Sequence, residues 1–216
     1  MTEAVYPDNH SALLVVDVQN DFCPGGALAV PEGDAVVPVI NRVAASFAHI
    51  VITQDWHPPR HVSFASSHPR HKPFEVIPVS YGDQVLWPDH CVQGSDGAAL
   101  RGDLDARRAE LVIRKGFHRE IDSYSTFFEN DRRTPTGLNG YLRERGMTRV
   151  FLAGLALDFC VRYSAEDALH LGFSVCVVED ACRGIGGADA LASIRRSLVE
   201  AGVVFLSSHQ LLRPAR

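Results

Sequence analysis

Short, nearly continuous apolar runs recur along the chain, each followed by a segment with helical spacing. Ala12 to Val16 stops at Asp17, and Ile50 to Thr53 runs into Asp55. Leu111 to Ile113 leads to Lys115, and Val150 to Ala153 leads to Gly154. Val175 to Val178 and Val203 to Leu206 complete the series. Their length and β-branched content predict strands buried on both faces, as in a parallel sheet.

Between these runs the period lengthens. Val36, Ile40, Val43, Ala44 and Phe47 share one helical face, with Asp34 placed to cap it. Val161, Ala165, Ala168 and Leu169 form a second face that Gly172 would terminate, and Leu191, Ile194 and Leu198 a third that ends at Gly202. Strands alternating with helices of this length imply βαβ units. The expected fold is α/β, a three-layer αβα sandwich around a mostly parallel, doubly wound sheet. No repeat, low-complexity tract or linker divides the chain, so residues 1–216 are expected to form a single domain. Trp56 to Asp96 departs from the alternation: it is rich in Pro and His with little periodicity, a profile that usually marks functional segments or disorder.

Charge and composition narrow the function. A formal net charge of -5, with no basic block, argues against a nucleic-acid partner or an anionic membrane surface. The apolar runs fall far short of the ~20 residues of a membrane helix. Met1 to Asn9 is polar and does not read as a signal peptide. The 5 cysteines (Cys23, Cys91, Cys160, Cys176 and Cys182) are odd in number and form no CxxC pair. Reduced thiols in a cytoplasmic protein are therefore expected.

In a sheet of this type, ligands bind beyond the carboxyl ends of the strands. Asp17, Asp55, Lys115 and the turn from Gly154 to Cys160 all sit at such ends, so residues remote in sequence are expected to converge. With Asp158 as N-cap, Cys160 would fall in the first turn of a helix. Free N–H groups and the helix dipole there favour a thiolate and could hold an oxyanion. A buried Cys is more often plain packing, but this one faces the ligand side. Asp17 could take the thiol proton and return it to a leaving amine. Lys115 could stabilise the thiolate and tune Asp17. The 21 basic residues include only two lysines, Lys72 and Lys115. A chain that otherwise uses arginine keeps a compact ammonium at this strand end.

Asp55 and His57, two apart on an extended segment, point the same way. With His90 they make a set that leaves coordination positions open, as a catalytic divalent site requires. His61 and Ser63 are near enough in sequence to add a ligand directly or through water. Half of the 10 histidines lie between residues 57 and 90, and His68 and His71 read as surface residues.

Six short motifs then follow in order: DVQNDFCPGGAL (Asp17–Leu28), QDWHP (Gln54–Pro58), WPDHC (Trp87–Cys91), RKG (Arg114–Gly116), DSYSTFF (Asp122–Phe128) and GLALDFC (Gly154–Cys160). Together they resemble the nicotinamidase/pyrazinamidase branch of the isochorismatase-like cysteine hydrolases, over nearly the whole chain. The resemblance implies hydrolysis of nicotinamide to nicotinic acid and ammonia, with pyrazinamide as a second substrate. It implies a catalytic triad of Asp17, Lys115 and Cys160. It also implies one divalent metal per subunit on Asp55, His57 and His90, with zinc preferred over iron or manganese. Ser63 stands where some members have a further His. A cis peptide between Leu155 and Ala156 is implied, with the Ala156 and Cys160 N–H groups forming an oxyanion hole. Phe22, Trp87 and Tyr124 are implied to line a slot for the pyridine ring, with Leu155 beside it and Phe159 shaping it. A homo-oligomer is compatible with the resemblance. The rival readings are a sister hydrolase acting on another small amide, which the metal ligands disfavour, and a redox-sensing protein with a reactive Cys160. The lack of GxGxxG after the first strand argues against a Rossmann dehydrogenase.

Overall fold

The structure, a computed structural model, describes residues 6–212, so the first part of the Met1–Asn9 segment lies outside the described residues. Strands β1 (Ser11–Val16), β2 (His49–Asp55), β3 (Val76–Val79), β4 (Gly82–Val85), β5 (Leu111–Lys115), β6 (Arg149–Leu155), β7 (Ser174–Arg183) and β8 (Val204–Leu206) alternate with helices α1 (Val36–Ala44), α2 (Leu138–Glu144), α3 (Arg162–His170) and α4 (Ala188–Glu200). Six strands form one sheet in the order β5-β2-β1-β6-β7-β8, with every pairing parallel. β3 and β4 make a separate antiparallel hairpin.

The period of two in β1 divides the core. Leu13 and Val15 pack with Val36, Ile40 and Val43 of α1 on one face. Ala12, Leu14 and Val16 pack on the other with Leu138 and Leu142 of α2, Ala165 and Ala168 of α3, and Leu198 of α4. Both faces of the sheet are thus covered, which is why the strand runs are continuously apolar. Each buried Leu or Val side chain contributes roughly 1.5–3 kcal/mol by leaving water. The expected three-layer sandwich is the observed one. The chain winds outward from β1 in one direction through β2 and β5, then crosses back to β6 on the other side of β1. That reversal opens a crevice at the carboxyl ends of β1 and β6.

Three local expectations change. Asp34 does not cap α1: it lies in a tight 3-10 turn, Gly33–Ala35, that feeds the helix directly. Ala35 is already helical (φ -64°, ψ -16°), so no extended cap residue exists to present an acceptor. The segment from Trp56 to Asp96 is not wholly irregular, since it contains the β3–β4 hairpin. Helix α2, which buries Leu138 and Leu142, was not anticipated from spacing because it is short. Among the described residues no helix is long and apolar enough to cross a membrane.

Candidate active site

Asp17 follows β1 with φ 49°, a left-handed conformation that few non-glycine residues adopt. Thr53, from neighbouring β2, holds it there: the Asp17 N–H donates to Thr53 Oγ1 at 3.1 Å, and the Thr53 hydroxyl donates to Asp17 Oδ1 at 2.5 Å. Oδ2 is buried without a hydrogen-bond partner, although the Lys115 ammonium lies 3.0 Å away as an ion pair. The carboxylate therefore keeps one oxygen free to take a proton. Burial raises its pKa, against the opposing pull of Lys115, and so moves it toward that of a thiol.

Lys115 closes β5 and is 1% exposed. Its Nζ donates to Asp55 Oδ1 at 3.0 Å and to the Ser123 carbonyl at 2.7 Å, and lies 3.6 Å from Cys160 Sγ. Burial works against its charge, but Asp17 and Asp55 outweigh burial and hold the pKa well above the usual lysine value. The ammonium is permanent at neutral pH.

Cys160 lies in a single wide π-type turn, Leu157–Val161, ahead of α3. Asp158 does not cap that turn. Its carboxylate instead accepts the Ile185 and Gly186 N–H groups, at 3.1 and 2.7 Å, and ties the loop after β7 to the turn that carries Cys160. Nor is the thiol depressed toward thiolate as its place before a helix suggests. Burial raises the Cys160 pKa well above 9.0, with Lys115 opposing and Asp17 and Asp55 adding to the rise. Gly154 permits the approach of β6 to β1: at φ 124° a Cβ would collide with the Val16 backbone. The Leu155–Ala156 peptide is cis.

Beside this triad stands the donor cluster. His57 Nε2 and His90 Nε2 lie 2.9 and 3.4 Å from Asp55 Oδ2. The second ring nitrogens face the Gly116 and Pro88 carbonyls, each at 2.8 Å, which fixes both Nε2 atoms as inward-facing lone pairs once a metal displaces the proton. One donor atom from each residue lies within 4.8 Å of the others. Burial would raise the Asp55 pKa, yet His57 and Lys115 hold it well below the ordinary carboxylate range. Two imidazoles and one ionised carboxylate suit a divalent ion with open positions.

His61 stacks on His57, with ring centroids 4.1 Å apart. Burial, with His57 beside it, pushes the His61 pKa down to about 4. Its Nε2 faces the His118 and Ile121 carbonyls, both at 3.1 Å, so Nε2 carries the proton and Nδ1 accepts from the Ser63 hydroxyl at 2.7 Å. Ser63 is thus wholly buried and occupied by His61.

Cys160, Asp55 and His90 share a narrow cleft with Phe22, Trp87, Tyr124, Ala156 and Phe159. Phe159 packs edge-on against Trp87, with centroids 4.8 Å apart, and Tyr124 lies 5.5 Å from Phe159. Leu155 is not in this lining; its side chain is sunk in the core on the α1 face. Leu28, Asp122 and Ile185 line the cleft as well, and sequence reasoning missed them. Asp122 opens the quoted motif DSYSTFF and Leu28 closes DVQNDFCPGGAL, so both were within reach; Ile185 reads as an ordinary apolar position.

The model of the isochorismatase domain matches residues 11–210. The chain belongs to the isochorismatase family. Within that family it is 52% identical, over 94% of this chain and 95% of the relative, to a nicotinamidase of Acinetobacter baylyi. A solved nicotinamidase/pyrazinamidase structure from Acinetobacter baumanii superposes with a TM-score of 0.92 at 51% identity, over 95% of this chain and 99% of that one. A pyrazinamidase of Pyrococcus horikoshii in complex with zinc gives a TM-score of 0.74 at 33% identity, over 92% of this chain and 99% of that one.

Proposed function

We propose that this isochorismatase-family enzyme is a nicotinamidase that hydrolyses nicotinamide to nicotinic acid and ammonia, and pyrazinamide likewise. The observation that carries the reading is the Lys115 ammonium, which touches Asp17, Asp55 and Cys160 at once beneath an aromatic cleft. A flat heteroaromatic amide suits that cleft, with its ring among Phe22, Trp87 and Tyr124 and its carboxamide toward Cys160.

In the reaction, Asp17 Oδ2 takes the proton of Cys160 as sulfur attacks the carboxamide carbon. Lys115 offsets the negative charge that grows on sulfur. The N–H groups of Ala156 and Cys160 hold the oxyanion. Asp17 passes its proton to the nitrogen, the C–N bond breaks, and ammonia leaves a thioester on Cys160. Asp17 then takes a proton from water, whose oxygen adds to the carbonyl; the C–S bond breaks, the sulfur regains its proton, and nicotinic acid departs. Asp55, His57 and His90 would hold the divalent ion, while Ser63, whose hydroxyl goes to His61, is not among the converging donors; when bound, the ion would supply a Lewis acid for the pyridine nitrogen. Zinc is our choice, supported by the zinc-containing pyrazinamidase, with iron and manganese as alternatives. Residues 1–216 act as one catalytic domain, with no nucleic-acid or membrane partner. All five cysteines are free, which supports a cytoplasmic enzyme supplying nicotinic acid to NAD salvage.

The test is ammonia release from nicotinamide by purified protein, before and after chelation and with zinc, iron or manganese restored. Turnover lost on stripping and regained with one metal is expected. Full turnover by verified metal-free protein would overturn the anchoring role, and no turnover with any metal would move the enzyme to another small amide.

A further inference from the structure

Gln84 is the only wholly buried residue of β4, a strand otherwise exposed or half-buried. A primary amide shut off from water must place two N–H groups and a carbonyl. It does so in a closed ring. The Asp122 N–H donates to the Tyr81 hydroxyl at 3.2 Å, the Tyr81 O–H donates to Gln84 Oε1 at 2.7 Å, and Gln84 Nε2 donates to Asp122 Oδ2 at 2.7 Å. The Val85 carbonyl takes a further bond from Nε2 at 2.7 Å. Because the Val85 carbonyl and the Asp122 carboxylate only accept, the end of the amide that faces them is the nitrogen, and Oε1 is left to take the Tyr81 proton.

That assignment decides the neighbouring Tyr124. Its hydroxyl lies 3.2 Å from Gln84 Nε2 and 3.2 Å from Trp87 Nε1. Both neighbours can only donate. Nε2 has two hydrogens for three acceptors, so one N–H is shared with Tyr124; the Tyr124 oxygen accepts from Trp87 and, in that shared bond, from Gln84, and its own proton goes to neither. The same residue lines the cleft beside Cys160 and Ala156.

We propose that Gln84 is a positioning residue for the amide hydrolysis: from behind the cleft wall it fixes Asp122 and Tyr124 and leaves the Tyr124 O–H as a donor for the bound substrate. The inference rests on the nicotinamidase reading. Gln84 touches no reacting atom and does not line the cleft, so its effect should fall on substrate binding.

The experiment is steady-state hydrolysis of nicotinamide by the metal-loaded wild type, Gln84→Met, Tyr81→Phe and the double variant, with thermal melts of each. Methionine keeps the length of Gln84 without its hydrogen bonds. Gln84→Met should raise KM about tenfold, with kcat changed less than about threefold. Tyr81→Phe should move KM the same way, and the double variant should add little to Gln84→Met. A fall in kcat at unchanged KM, tracking a loss of folded protein, would mark a merely structural residue and overturn the proposal, as would unchanged kinetics. If the wild type itself releases no ammonia from nicotinamide, the functional reading fails and this inference with it.

Discussion

Lys115 Nζ lies 3.0 Å from Asp55 Oδ1, so one carboxylate serves two centres. Its other oxygen, Oδ2, faces His57 and His90. The charges of the Lys115–Asp17 pair and of the His57–His90 cluster are thereby coupled through a single buried side chain.

Removing the ammonium should be costly on both counts. In Lys115→Met, Asp17 and Asp55 are left as buried carboxylates with no cation between them. Unfolding in denaturant should show a loss of about 3–5 kcal/mol, and ammonia release should fall by at least about 1,000-fold. A variant of wild-type stability would show that the two carboxylates are not held apart by this charge.

Gly116 is the second sensitive point. At φ 66° a side chain is strained, and a Cβ there would sit 2.5 Å from His57 Cε1. Gly116→Ala should therefore displace the His57 ring and its bond to the Gly116 carbonyl. Metal retained after dialysis, measured by elemental analysis, is expected to drop about tenfold or more; full metal content would show that the ring has room to give.

The pH dependence follows from Asp17, which must be ionised to take the Cys160 proton. Its pKa is raised by burial, so kcat/KM should fall with acidification through a midpoint above the ordinary Asp value of about 3.9. At the same time the Cys160 thiol, raised by burial, should alkylate slowly at neutral pH and faster as pH climbs. An acid limb at or below the free Asp value, or rapid alkylation at pH 7, would contradict a neutral thiol beside a carboxylate base.

Asp158 ties the Ile185 loop to the nucleophile turn through two N–H bonds. Its replacement by Ala leaves both donors without their acceptor, at a cost of about 1–3 kcal/mol. Because Ile185 lines the cleft, KM for nicotinamide should rise along with the lower melting temperature. Unchanged KM at reduced stability would confine Asp158 to the scaffold.

The sequence by itself determined the layers of this protein and the chemistry it carries. Both follow from local information: short, β-branched, continuously apolar runs suit strands covered on both faces, and each of the six motifs is short enough to read in place. Asp17, Asp55, Lys115 and Cys160 were legible as strand-end residues for the same reason. Tertiary structure alone decided how they act. Spacing suggested that Asp158 caps a helix and that the helix start favours a Cys160 thiolate; instead Asp158 is drawn to N–H groups 27 and 28 residues away, and burial raises the thiol pKa. Gln84 and Ile185 carry no local signal, because their partners come from other parts of the chain. Desolvation and long-range hydrogen bonding depend on what packs around a group, and neighbours in sequence do not specify that.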